Sequence, residues 1–156
     1  MPFNRGAVDA KPFEAMFMGF RVEKAAAALP QTTTATLFTI AGGRVLVTMI
    51  VGEVTTLIQT QANNTKLTFN PDDAGASQDI CAVLDISADA VGTMYHISGT
   101  LSDALRDNLN LARGGLMAAP LILKPGTILL DCAASSTGQA KWTIWYIPLE
   151  DGASIS

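Results

Sequence analysis

Short apolar runs of strand length, separated by turn residues, constrain this chain more than any other feature of its sequence. The run from Thr32 to Ile40 is rich in β-branched residues, which favour strands. Gly42-Gly43 follows it and predicts a tight hairpin into the next run, Arg44 to Gln59. That second run is apolar on both alternating faces near its start. We therefore expect neither of its faces to be fully solvated.

The rest of the chain repeats this pattern with a turn signal about every eight to twelve residues. Gly52 predicts a bulge or bend, and Lys124 to Thr127 predicts a type II turn. Leu101 to Gly115 has leucines at a spacing that fits a helical turn or an ordered loop. Further strands are predicted at Lys66–Phe69, Ile80–Ile86, Thr93–Ser98, Leu116–Leu123, Thr127–Ala133 and Lys141–Ile147. The prediction is an all-β fold, a β-sandwich or jelly roll of about eight strands.

Residues 1–28 do not show this pattern of strands and turns. They predict an N-terminal arm, extended or partly helical, before a β-sandwich domain at residues 29–156. Four of the six phenylalanines lie in the first twenty positions, interleaved with charged residues. Glu14 to Ala28 contains good helix formers, but Gly19 weakens a helix there. A short helix and an extended arm both remain open. Pro30 ends any helix, because its ring disfavours the helical conformation for the preceding residue.

The composition is apolar for a soluble chain. It is 49% hydrophobic and 15% charged, against roughly 25% charged in an ordinary domain. No stretch approaches the 18 or more apolar residues that span a membrane, so we expect no membrane partner. The formal charge of −4 argues against direct nucleic-acid binding. We expect other protein chains to cover part of the apolar surface, in an obligate assembly that includes a homo-oligomer, a dimer or trimer.

Candidate catalytic and metal-ligating residues are few. His96 is the only histidine, and no G-x-S-x-G motif accompanies it. Cys81 and Cys132 are interpreted as reduced packing residues, since two distant cysteines make neither a disulfide scaffold nor a zinc site. The loop around Asp72 offers several oxygen ligands but lacks the EF-hand spacing, so a solvated acidic loop is favoured over a cation site. We predict no enzyme activity, no cofactor and no metal.

The aromatic run from Trp142 to Tyr146 has two interpretations. Exposed aromatic side chains on a β-sandwich can stack sugar rings, which would suit a carbohydrate-binding host-attachment module. Strand alternation, however, places Trp142 and Trp145 on opposite faces. One tryptophan per face favours core packing on one side and interface packing on the other.

Two segments, Leu37 to Thr56 and Gly126 to Ala153, resemble small virion structural proteins of tailed bacteriophages. The family includes capsid decoration or cement proteins, often β-sandwich or jelly-roll oligomers. The resemblance implies a non-enzymatic protein on the capsid exterior, made in the host cytoplasm, that stabilises the shell by bridging subunits of the major capsid protein. Another virion component, such as a tail, connector or head-fibre protein, is the alternative. The family provides no residue motif for capsid binding that this sequence matches.

The phenylalanine-rich arm suggests how such a protein would attach. Apolar anchors between alternating charges suit a segment that becomes ordered on binding. The hypothesis is that the arm lies across a neighbouring subunit; the alternative is that it folds back on its own sandwich. The residues predicted to contact the capsid or another subunit are Phe3, Phe13, Phe17, Phe20 and Trp145.

Overall fold

The computed structural model of the protein describes residues 18–111 and 117–156 and confirms the all-β prediction. Twelve strands form two antiparallel sheets packed as a sandwich, and the described residues contain no helix. Eight of these strands have four or more residues. The strands are β1 (Phe20–Ala28), β2 (Thr34–Ala41), β3 (Val45–Thr56), β4 (Asn64–Pro71), β5 (Gln78–Asp79), β6 (Leu84–Asp85), β7 (Thr93–His96), β8 (Arg106–Leu109), β9 (Leu121–Leu123), β10 (Gly126–Cys132), β11 (Gln139–Pro148) and β12 (Ser154–Ile155).

Each sheet contains six strands. The first sheet has the order β1-β11-β3-β7-β8, and β9 also pairs with β3. The second has the order β12-β2-β10-β4-β5, and β6 also pairs with β4. The core lies between the sheets, where alternate residues of the long strands are buried, among them Phe38, Val47, Leu67, Ile128 and Ile144. This is the period-two burial that half-exposed antiparallel strands produce.

Two glycine-containing turns connect the sheets, and the first of them does not form the hairpin that the sequence predicts. Gly42-Gly43 joins β2 of the second sheet to β3 of the first, and Pro125-Gly126 joins β9 of the first to β10 of the second. A Cβ at Gly42 would collide with the carbonyl of Gly152, and one at Gly126 with the carbonyl of Asn70. Glycine is needed at these places because another backbone passes close by, at positive φ angles of 77° and 156°.

Of the bulge or bend predicted at Gly52, the bulge is wrong. The register shifts of β3 against β11 fall at Thr48 and Thr55, and Gly52 pairs regularly with Trp142. A Cβ at Gly52 would lie 2.8 Å from the Trp142 ring. Gly52 therefore provides space for an aromatic side chain on the neighbouring strand.

Other segments also differ from their sequence interpretation. Of the predicted strands Ile80–Ile86 and Leu116–Leu123, only Leu84–Asp85 and Leu121–Leu123 form strands among the described residues. The helical turn or ordered loop predicted within Leu101 to Gly115 is instead strand β8 over part of its length, paired with β7. Residues 20–28, assigned above to the arm, form β1 and pair with β11, so this part adopts the extended alternative and not a helix. Residues 112–116, and with them part of the loop, lie outside the described residues.

Candidate interaction surface

Part of the outward face of the first sheet is apolar, and Arg21, Glu23 and the Lys141–Glu53 ion pair border this part on the same face. Cross-strand pairs align Trp145 with Met49, and Ile147 with Leu46 and Ile122. Alternation turns these side chains away from the core. Most are half-buried, and Ile122 is 63% exposed. We call this surface the Trp145 face; it consists of Leu46, Met49, Val51, Met94, Ile122, Trp145 and Ile147.

The outward face of the second sheet has a different chemistry. Its cross-strand rows are mostly threonine, with charged and amide side chains, and Leu129 is their one aliphatic member. The rows are Thr34–Asp131–Lys66, Thr36–Leu129–Thr68 and Thr39–Thr127–Asn70. Lys66 also forms an ion pair of 2.7 Å with Asp79. This face suits contact with water, whereas the Trp145 face suits contact with another apolar surface.

The two tryptophans lie where alternation predicts. Trp142 is 3% exposed in the core, and its ring stacks on Tyr95 at a centroid separation of 6.0 Å. Trp145, three residues later in β11, is half-buried on the outward face. The prediction of one tryptophan on each side of the sheet is confirmed, and Trp145 lies on the Trp145 face between Met49 of β3 and Arg21 of β1.

The first described residues, Met18 and Gly19, lie next to the Trp145 face. At Gly19, with φ of 87°, the backbone turns away from β1 and passes close to the carbonyl of Tyr146 and to the outward side chain of Ile147. The Thr48 hydroxyl then donates a hydrogen bond of 2.7 Å to the Met18 carbonyl. Met18 therefore lies over β3, on the outward side of the first sheet.

Of the predicted phenylalanine anchors, the structure describes only Phe20. It lies in β1, is 54% exposed, and has its ring 5.9 Å from that of Tyr146. Phe3, Phe13 and Phe17 lie outside the described residues. The hypothesis that they act as anchors stays a prediction.

The histidine and the two cysteines considered for catalysis or metal binding are buried in the fold. His96 is buried in β7, opposite Val51. Cys81 and Cys132 are free and buried, as the sequence predicts, and burial raises the pKa of both thiols. Low thiolate content at neutral pH makes them poor nucleophiles.

The acidic loop that offered a cation site contains carboxylates paired with lysines. Asp73 forms an ion pair with Lys124, and this contact lowers the pKa of the Asp73 carboxyl. Asp79 pairs with Lys66. Within residues 18–111 and 117–156, no group of three or more histidine, cysteine or acidic side chains is placed to hold a metal ion.

One polar pair escaped the sequence analysis. The Tyr95 hydroxyl donates a hydrogen bond of 2.6 Å to Asp89. Burial raises the pKa of the Asp89 carboxyl, helped by the charges of Asp107 and Asp85, although the bond from Tyr95 opposes it. Burial also holds the pKa of Tyr95 above its usual range. Nothing in the sequence joins positions 89 and 95, because the contact depends on a turn between them.

Comparison of the chain with known protein families, with curated proteins and with solved structures finds no significant match. In the part of the chain that the structure describes, no helix has the length and hydropathy to cross a bilayer.

Proposed function

We propose that this protein is a non-enzymatic decoration protein that stabilises a bacteriophage capsid by bridging major capsid protein subunits on the virion exterior. The observation that carries the proposal is the Trp145 face. A half-exposed apolar surface on one sheet, opposite a threonine-rich surface on the other, suits a protein with one side on a partner and one side in water.

The N-terminal segment contributes a second point of attachment in this proposal. Met18 lies beside Thr48 on the outward side of the first sheet, so the segment before it starts next to the Trp145 face. Phe3, Phe13 and Phe17 then serve as apolar anchors on a neighbouring subunit, with Phe20 at the sheet edge. Several weak contacts made at once by a homo-oligomer would give avidity without any single strong site.

The charge of the chain fits this location. A formal charge of −4 disfavours contact with packaged nucleic acid. It is compatible with the outer surface of a shell, where the threonine-rich face would meet solvent.

Binding to capsids assembled without the protein tests the proposal. We expect Trp145→Ala and a truncation that removes residues 1–17 each to weaken binding by about tenfold or more, as loss of an aromatic or apolar anchor does. The truncation must end before Met18, because Thr48 bonds to its carbonyl. Leu129→Ala on the second sheet is the matched control and should bind as the unchanged chain does.

Electron microscopy of particles with and without the protein separates the alternatives. A decoration protein adds density at regular positions on the shell. Density confined to the tail, connector or a fibre would replace this proposal with another virion role. Glycan binding that disappears in Trp145→Ala, with no capsid binding, would instead identify a carbohydrate-binding module.

A further inference from the structure

The edge strand β1 is long and uncovered. It pairs with β11 on one side, and among the described residues no strand pairs with its other side. Eight of its nine residues are exposed, and only Val22 is half-buried. An edge of this length presents backbone N–H and C=O groups to which another strand can bind.

The two halves of β1 differ in how well they are protected. A bulge between Lys24 and Ala27 interrupts the second half, and bulges discourage strand addition. The first half, Phe20 to Lys24, pairs with β11 in regular register. A further strand would therefore add along residues 20–24.

Two antiparallel copies of this half can place opposite charges next to each other. In an antiparallel pair of two copies with the two-fold axis at Val22, Arg21 lies opposite Glu23 of the other copy, and Phe20 lies opposite Lys24. Both contacts occur twice, and opposite charges across strands are stabilising. Lys24 over the Phe20 ring adds a cation–π contact.

Other registers are less favourable. An axis at Lys24 places the two copies of that lysine opposite each other. Like charges directly opposite destabilise a strand pair. An axis between Val22 and Glu23 is not possible in one continuous sheet, because it would place odd and even residues opposite each other and their side chains lie on different faces. Axes further along β1 pass through the bulge.

We infer that this protein forms a two-fold dimer by antiparallel pairing of β1 with β1 of a second copy, with the axis at Val22. Within one chain, Arg21 and Glu23 are 3.6 Å apart and both largely exposed, so their side chains can reach across the axis. The inference does not depend on the capsid role.

The dimer would also place two Trp145 faces on one side of a continuous sheet, separated by the paired Arg21 and Glu23 side chains. Arg21 pairs with Trp145 in the first sheet, so the two copies of Trp145 are separated by two β1 strands. Strands lie about 4.8 Å apart, which places the tryptophans roughly 15 Å from each other on the same side of one continuous sheet. Two such faces side by side could contact two neighbouring partner subunits.

Charge reversal on the purified full chain tests the pairing by analytical ultracentrifugation over a range of concentrations. We expect a dimer for the unchanged chain, at least about tenfold weaker dimerisation for Arg21→Glu or Glu23→Arg, and recovery in the double variant. Lys141→Glu is the control, since it makes the same charge change as Arg21→Glu but lies in β11, one strand in from the edge, and disrupts an ion pair to Glu53 of β3. A wild-type chain that stays monomeric at high concentration overturns the inference, as do reversals that leave the dimer unchanged.

Crosslinking tests the register. Val22→Cys places two thiols opposite each other at the axis, at the separation a disulfide needs. Mild oxidation should yield a disulfide-linked dimer for Val22→Cys and little for Ala26→Cys, whereas the native cysteines are buried. The opposite pattern, with Ala26→Cys crosslinked and Val22→Cys not, would show that this register is wrong.

Discussion

The outward faces of the two sheets are built from the same kind of strand, but only the first has an apolar region that extends across several strands. In the first sheet, the residues that point away from the core include Met49, Trp145 and Ile147. In the second, the corresponding positions include Thr36, Thr39 and several charged or amide side chains. Both sheets bury one face against the other, so the core does not explain this difference.

The apolar excess of the composition is therefore localised in one sheet. The second sheet shows the alternation of apolar and polar residues that one buried face requires. The first sheet has apolar residues on both faces of β3 and β11, as strands covered on both sides do. A partner surface is the natural cover for its outward face.

The largest effect is expected from comparing the two tryptophans of β11. Trp142→Ala removes a buried ring that stacks on Tyr95 and should lower the free energy of unfolding by about 3–5 kcal/mol. Trp145→Ala, on the outward face, should cost about 1 kcal/mol. Denaturant unfolding of both variants measures the difference. Equal losses would mean that Trp145 belongs to the fold and not to an interaction surface.

The inner face can also be tested by adding volume. Gly52→Ala places a methyl group 2.8 Å from the Trp142 ring, and overpacking of this kind costs about 1–3 kcal/mol. Because the ring is held by Tyr95, it cannot move away freely. Thermal unfolding of Gly52→Ala should show the loss, and the same substitution in a Trp142→Phe background should cost less. An unchanged cost in that background would locate the strain elsewhere.

The sequence predicts the long strands of this fold well and its connections poorly. Most of the run from Thr32 to Ile40 and all of the segment from Lys141 to Ile147 form strands, because periodic burial is a local property. Gly42-Gly43 predicts a hairpin because paired glycines indicate a tight local turn. They do not indicate which sheet the next strand joins, since that depends on strands distant in the sequence.

The edge strand β1 shows a different limit. Phe20 and Val22 alternate with Arg21 and Glu23, a period of two that signals a strand. The alanines that follow, Ala25 to Ala28, have strong helix propensity, so the sequence of this segment is also compatible with a helix. Pairing with β11 overrides that propensity. For the interaction surface, alternation correctly separated Trp145 from Trp142, but the row of residues beside Trp145 depends on register and could be identified only from the structure.

A pH-dependent prediction concerns the polar pair beside the inner tryptophan. The pKa of Asp89 is raised in the folded state, so its contribution to stability is fully present below the unfolded pKa and is lost as pH rises through the folded pKa. Asp89→Asn keeps an oxygen acceptor for Tyr95 and cannot ionise. The stability of this variant relative to the unchanged chain should therefore improve between pH 3 and pH 7 or so, as followed by denaturant unfolding. A difference that does not vary with pH would contradict the assignment.

The smallest effect on stability, and the most direct comparison of the two faces, comes from exchanging their residue types. Met49→Thr makes the first sheet resemble the second, and Thr36→Met does the reverse at an exposed site. Each should change the free energy of unfolding by only about 0.5 kcal/mol, as substitutions on exposed surfaces do. Partner binding should nevertheless fall for Met49→Thr and stay constant for Thr36→Met, because only the first sheet is expected to meet a partner. If Met49→Thr instead unfolds the protein, the outward face of the first sheet contributes to folding, and its apolar character needs no partner to explain it.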